Sequence, residues 1–221
     1  MRNLIVAVLV LGVAFVGLQT PASANLITDP SFENGGSAIV IRDNATDWTW
    51  SGGANGDSFY NPGVAKTGTK SAKVSMWGGN NTDYAYFVKD LTGIDFTQPY
   101  QFSANFLRNS ADDLKSGSVG TLQLKWQNSL GALLRQDNSV VFDNSYSADT
   151  WNLISLTTAT PPAGSAKLSA VVALTTTSTY APNSSFFVDD MSLNAIPEPA
   201  SLTLLGSGLL GLLGLSRKKR E

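Results

Sequence analysis

The sequence contains no histidine and no cysteine, and this closes the common catalytic relays. A serine nucleophile would lack its imidazole base, there is no thiol nucleophile, and no zinc can be held by imidazole. Carboxylates remain. Glycoside hydrolysis asks for two carboxyl groups flanking the scissile bond. Between residues 25 and 196 the only glutamate is Glu33, so a pair must draw on aspartates. Adjacent candidates are Asp112-Asp113 and Asp189-Asp190. Neighbours on a strand point to opposite faces, so Asp189 and Asp190 cannot act on one substrate atom. Asp112 and Asp113 fall in a polar stretch that reads as a solvated loop. The sequence therefore favours a non-enzymatic protein, with an aspartate-dependent glycoside hydrolase as the remaining catalytic alternative.

Aromatic side chains are the other chemistry on offer. Tryptophans stand at 48, 50, 77, 126 and 151. Trp126 and Trp151 occupy apolar-face or strand-start positions and read as core. Trp48, Trp50, Trp77, Tyr60 and Tyr84 flank loops and are the candidate ligand-binding residues.

The elements that carry these residues alternate apolar and polar with the period of a strand. Thr121 to Gln127 is the clearest, with Leu122, Leu124 and Trp126 on one face. Similar patterns run over 70–77, 85–91, 100–107, 151–158, 166–174 and 186–193. Short strands are also expected at 25–32 and around Trp48 to Trp50, and one over 133–142 interrupted near 136–138. Residues 51–63 and 108–120 read as loops, and Pro161-Pro162-Ala163-Gly164 as a turn. In the 186–193 strand the alternation places Asp189 with Phe187, Met191 and Leu193, which points it inward, but Asp190 shares the equally apolar face of Phe186 and Val188, so the pattern alone does not decide between them. Nine or ten short strands with regular turns and no convincing helix give an all-β, antiparallel jelly-roll sandwich over residues 25–194.

Both ends of the chain differ from this middle. Residues 1–24 form a secretory signal peptide. Arg2 supplies its cation, Leu4 to Leu18 its apolar helix, and Ala22-Ser23-Ala24 the site cut ahead of Asn25. Residues 195–221 hold Pro197-Glu198-Pro199, an uncharged run over 200–216, and the basic block Arg217, Lys218, Lys219 and Arg220. The prolines break the backbone ladder. As a helix the run reaches roughly 25 Å, the short end of a transmembrane helix. The cations hold the terminus on the cytoplasmic side. Residues 25–196 keep ten cations and fifteen anions, net −5, and have no basic cluster. That balance is wrong for nucleic acid.

The order Pro-Glu-Pro, apolar helix, basic terminus resembles the PEP-CTERM sorting signal of Gram-negative bacteria. The resemblance implies processing by an exosortase after signal peptidase has acted. It further implies transient insertion in the inner membrane, then release to the cell surface or an exopolysaccharide and biofilm matrix. The ordered pieces NLITDPSFENG, TGTKSAKVSM, LQLKWQNSLG, WNLISLTT, PPAGSAKLSAVVAL and FFVDDMSL resemble the galactose-binding-like sandwich of carbohydrate-binding modules. In such modules exposed Trp or Tyr faces stack on sugar rings. This gives a lectin-like polysaccharide-binding alternative to a purely structural matrix component. The same likeness implies a structural calcium shared by first and last strands. The matching positions are Glu33, a carbonyl within 68–71, and Asp189 or Asp190.

Overall fold

The computed structural model describes residues 24–34, 48–52, 56–77, 84–176 and 183–196, and the side chains of 50–52, 58–60 and 62 lie outside this description. The predicted signal helix and the predicted helix over 200–216 also fall outside it. Among the described residues no helix is long and apolar enough to cross a membrane.

Ten strands form the unit Asn25–Ala195: β1 Thr49–Gly52, β2 Gly56–Pro62, β3 Lys70–Met76, β4 Tyr84–Leu91, β5 Tyr100–Leu107, β6 Ser118–Gln127, β7 Leu133–Asn138, β8 Trp151–Thr157, β9 Lys167–Thr176 and β10 Ser184–Ala195. They build two five-stranded sheets, β1-β4-β9-β6-β7 and β2-β3-β10-β5-β8, whose strand pairs are all antiparallel. The expected jelly-roll sandwich is what the chain forms, and alternation explains why. Leu122, Leu124 and Trp126 are fully buried, as are Phe102, Ala104 and Phe106 across the gap. Strands such as β5 and β6 thus give one apolar face to the other sheet. Phe106 stacks on Phe186 at 4.8 Å, with Phe142 edge-on at 5.4 Å. A side chain at Gly120 would press on both the Phe186 and Phe106 rings, so glycine lets them close.

Four local expectations are corrected. Residues 25–34 form turns rather than a strand, although Leu26 N–H still donates to Leu193 O at 2.9 Å. The predicted loop 51–63 contains β2, whose Gly/Asn-rich sequence hides an edge strand. β7 runs unbroken through 136–138, and the ladder instead breaks after Asn138 before Phe142 rejoins at Gly120. The connection 108–120 is shorter, because β6 begins at Ser118.

The strands define two poles. The β4–β5 and β8–β9 connections and the β6–β7 hairpin lie at one. Asn25 and Ala195 are there as well, because β10 ends beside the start of β5. The β3–β4, β5–β6 and β9–β10 connections leave from the other.

Candidate functional site

At the pole opposite the chain ends, a cleft of about 230 Å³ is lined by Lys73, Ser75, Met76, Trp77, Asp112, Asn183 and Ser184. Trp77 follows β3 directly and is 44% exposed. Lys73 and Ser75 share the outer face of β3, because Ala72, Val74 and Met76 take the inner one. Asp112 comes from the β5–β6 connection and forms an ion pair with Lys73. Its carboxylate also accepts the Ser185 hydroxyl at 2.7 Å. Burial works against the Asp112 charge, yet Lys73 and Ser185 hold its carboxyl below the ordinary carboxylate value. Ser75 is 6% exposed, and its hydroxyl has no hydrogen-bond partner among the described residues. A buried hydroxyl without a partner is costly unless a ligand or water completes it.

The floor of this pole is fixed by Arg108. Its guanidinium forks onto Asp113, with Nε and Nη2 each 2.9 Å from a carboxylate oxygen, and Nη1 donates to the carbonyls of Asn144 and Tyr146. The Arg108 hydrogen bonds keep the Asp113 carboxyl below its usual value. Bidentate pairing of this kind fixes orientation as well as charge. Asp113 O then receives Ser185 N–H at 3.3 Å, tying the connection to β10.

Tyr84 opens β4 at the far end of the same β3–β4 connection and is 39% exposed. Its ring stacks on Tyr86 at 5.6 Å and 18°, and Lys125 Nζ stands 5.3 Å over Tyr86. Of the five aromatic candidates, the structure therefore places Trp77 and Tyr84 at one pole with their rings accessible. Trp48 is corrected. It is 2% exposed and packs on Phe32 at 6.0 Å and Phe87 at 5.0 Å, so it belongs to the core and offers no ring face to a ligand. Trp50 and Tyr60 sit on β1 and β2, with side chains outside the described residues. Trp126 is core as expected, and Trp151 is half-buried.

The acidic candidates gather elsewhere, around residues 66–70. Glu33 Oε1 accepts the Thr69 and Lys70 amides at 2.9 and 2.8 Å, and Oε2 accepts the Thr69 hydroxyl at 2.8 Å. Desolvation opposes the charge, but these donors prevail and the Glu33 carboxyl sits below its ordinary value. Gly68, at φ 67°, lies so close under the Glu33 carboxylate that any Cβ would collide with it. Asp189 is fully buried, with Oδ2 accepting Lys66 and Thr67 amides at 2.7 and 3.1 Å and Oδ1 accepting its neighbour's amide at 2.7 Å. Burial raises its carboxyl in spite of these donors. Asp190 takes hydroxyls of Ser31 and Thr67, with Lys66 Nζ at 3.6 Å.

The division of Asp189 and Asp190 between the faces of β10, open from the alternation alone, is set by an irregularity in the strand. A register shift falls between Asp189 and Ser192, and Asp190 adopts φ 48°. This β-bulge changes which side chains share a face. Phe186, Val188, Met191 and Leu193 all enter the sandwich, while Asp189 stays on the outer face with Phe187. Asp189 is buried because the 64–68 segment lies over it. Three carboxylates thus reach one short loop, but amides on Glu33 and Asp189, and hydroxyls with the Lys66 ammonium on Asp190, fill the lone pairs that a cation would need. Among the described residues no group of three or more acidic side chains converges as metal ligands.

The sorting residues Pro197, Glu198 and Pro199, the basic block and the 22–24 cleavage site lie outside the described residues, apart from Ala24. Asn25 is described, and its side chain bonds Met191 O at 2.9 Å.

Similar solved structures share the fold. The CBM22-1 xylan-binding domain of Paenibacillus barcinonensis Xyn10C aligns over 81% of this chain and 99% of its own, with 14% identity and a TM-score of 0.55. TmCBM61, solved with β-1,4-galactotriose, aligns over 79% and 100%, with 13% identity and a TM-score of 0.50. The enzymatically active domain of bacteriophage CBA120 tailspike protein 4 aligns over 78% of this chain at 12% identity and a TM-score of 0.52, and the chain spans only about 21% of its length. No curated protein matches the chain in sequence. Residues 195–219 match the PEP-CTERM protein-sorting motif, so a two-sheet β-sandwich precedes a signal for export and membrane-anchored sorting.

Proposed function

We propose that this protein is a non-catalytic polysaccharide-binding module, delivered by its sorting signal to the cell surface or the surrounding exopolysaccharide matrix. The observation that carries the reading is the Trp77 cleft. An exposed indole beside the Lys73–Asp112 ion pair offers a sugar both an apolar platform and directional polar partners. Similarity to carbohydrate-binding modules supports the reading at the level of fold. Hydrolysis is disfavoured by the state of the carboxylates. Asp112 and Asp113 are held ionised by Lys73 and Arg108, whereas a general acid needs a raised pKa. Asp189 has the raised value but is sealed under the 66–67 amides.

Trp77→Ala is expected to weaken retention on polysaccharide from the producing cell's own matrix by about tenfold or more, the scale of a lost hot-spot aromatic. The fold should survive, with at most a modest drop in melting temperature, because the residue is 44% exposed. Unchanged retention would remove the cleft from consideration, and absence of any retention by the parent protein would favour a purely structural matrix role.

Calcium bears on the 66–70 loop rather than on the sugar. The gathering of Glu33, Asp189 and Asp190 there is what favours an ion, which would require carbonyls to replace the present amides as neighbours. Melting in millimolar calcium and in chelator separates the two. A rise with calcium establishes a structural ion. Identical melting, the outcome expected from the amide geometry, leaves hydrogen bonds alone holding the loop.

A further inference from the structure

The β6–β7 hairpin exposes apolar side chains that its own turn holds outward. Leu130 is 90% exposed, Leu133 57% and Leu134 40%. The turn is built firmly. Asn128 Oδ1 accepts the amides of Leu130 and Ala132 at 3.0 and 2.9 Å, Asn128 N–H donates to Ala132 O at 3.0 Å, and Gly131 takes φ 81°. From Gln127 to Leu134 the sequence QNSLGALL carries no charge. A rigid tip presenting leucine to water is unfavourable unless something apolar covers it.

What covers it follows from where the chain leaves the sandwich. β10 ends at Ala195 beside Tyr100, at the same pole as the hairpin. Ile196, Pro197, Glu198 and Pro199 are all that separate it from the apolar run beginning at Ala200. Five residue steps span at most about 17 Å even when fully extended. If the run enters a bilayer, this pole is tethered within about that distance of the lipid surface. Trp77 and its cleft are then turned away from it, because they occupy the opposite pole.

We infer that the Leu130 hairpin docks on the lipid surface next to the inserted tail, and so fixes the sandwich with its ligand cleft facing outward. This rests on the sorting reading, in which the tail is membrane-inserted before processing. The contact is apolar, so it holds at high salt, unlike attraction of a basic patch to anionic lipid.

Because the chain has no cysteine, single labels can be placed cleanly. An environment-sensitive fluorophore is attached at Ser129→Cys beside the tip, or at Ser116→Cys at the opposite pole, both exposed positions. The full-length protein is reconstituted in phosphatidylcholine vesicles with or without spin-labelled lipid. The label at 129 should shift to the blue and lose intensity to the spin label, at low and high salt alike, while the label at 116 stays water-like. Adding Leu130→Asp should abolish the shift at 129 without altering the melting temperature. Alkaline carbonate extraction reports tail insertion separately. A chain that resists carbonate but shows a water-like label at 129 overturns the docking and leaves the sorting reading intact. A chain extracted by carbonate overturns both. Shielding at 129 without spin-label quenching points to a protein partner or a second copy, and also overturns the lipid assignment.

Discussion

Truncating Trp126 to alanine is expected to lower the unfolding free energy by about 3–5 kcal/mol, the range for removing a large aromatic from a well-packed core. The side chain is fully buried at the β6 end of the sandwich. Its ring meets Tyr100 at 5.8 Å and Phe96 at 6.4 Å, so it joins the two sheets and the β4–β5 connection. Its indole N–H donates to Asp137 Oδ2 at 2.8 Å, and the Arg135 guanidinium lies 5.7 Å over the ring. Arg135 in turn binds the carbonyls of Ala159 and Thr160 at 3.1 and 3.0 Å. One side chain therefore anchors the edge strand β7 and the turn leading to β9. Trp126→Phe keeps much of the packing and loses the bond to a charged acceptor, for which about 1.5–3 kcal/mol is expected. Urea denaturation with an unchanged slope measures both. A loss below about 1 kcal/mol for the alanine variant would show that the seam is held elsewhere.

Asp189→Ala is expected to cost about 2–4 kcal/mol at neutral pH, because it strands three amides under the 64–68 segment, and each buried orphan costs about 1–3 kcal/mol before relaxation. The same residue has an unusual pH signature. Its folded-state carboxyl is raised, mainly by desolvation. The stability linked to its protonation is therefore fully present below the unfolded aspartate value and is lost as pH rises through the raised folded value. Glu33, Asp112 and Asp113 have lowered values and act in the opposite sense. Their contribution is present above the unfolded carboxylate range and is lost as pH falls through their depressed folded values. Acid should thus destabilise the sandwich, since among the described residues the lowered carboxylates outnumber the raised one. In Asp189→Ala the loss on acidification should be steeper, because a group acting in the opposite sense is gone. Denaturant midpoints at several pH values between neutrality and strong acid test this. A variant whose acid slope matches the parent would show that Asp189 does not titrate differently on folding.

The strands legible in the sequence are those whose alternation is set by the opposite sheet, such as β3, β5 and β6. β2 was illegible because GDSFYNP sets Phe59 and Tyr60 side by side between polar residues and ends in proline, which gives no apolar alternation. The fate of Trp48 depended on Phe32 and Phe87, partners from distant segments that no local spacing reveals. The bulge at Asp190 could not be read either. A non-glycine residue at positive φ leaves no compositional mark, and one inserted residue reverses every later assignment of faces. At the site, Trp77 and Tyr84 stood out as loop-flanking aromatics. Lys73, Ser75 and Asp112 did not, since nothing in their local sequence separates a cleft wall from an ordinary polar strand face. Ser75 is found only by its burial without a partner.

The placement of β10 carries one more consequence, for the timing of export. This strand is the last among the described residues, yet it is the centre of its sheet, paired to β3 on one side and β5 on the other. Asn25, near the start of the sandwich, closes on Met191 and Leu193 across more than 160 residues. Before β10 emerges, half of the sandwich has no middle, and contacts of such sequence separation form late. If the chain is translocated N-terminus first, the β2-β3-β10-β5-β8 sheet cannot close until β10 has crossed, immediately ahead of residues 195–219 that match the sorting motif.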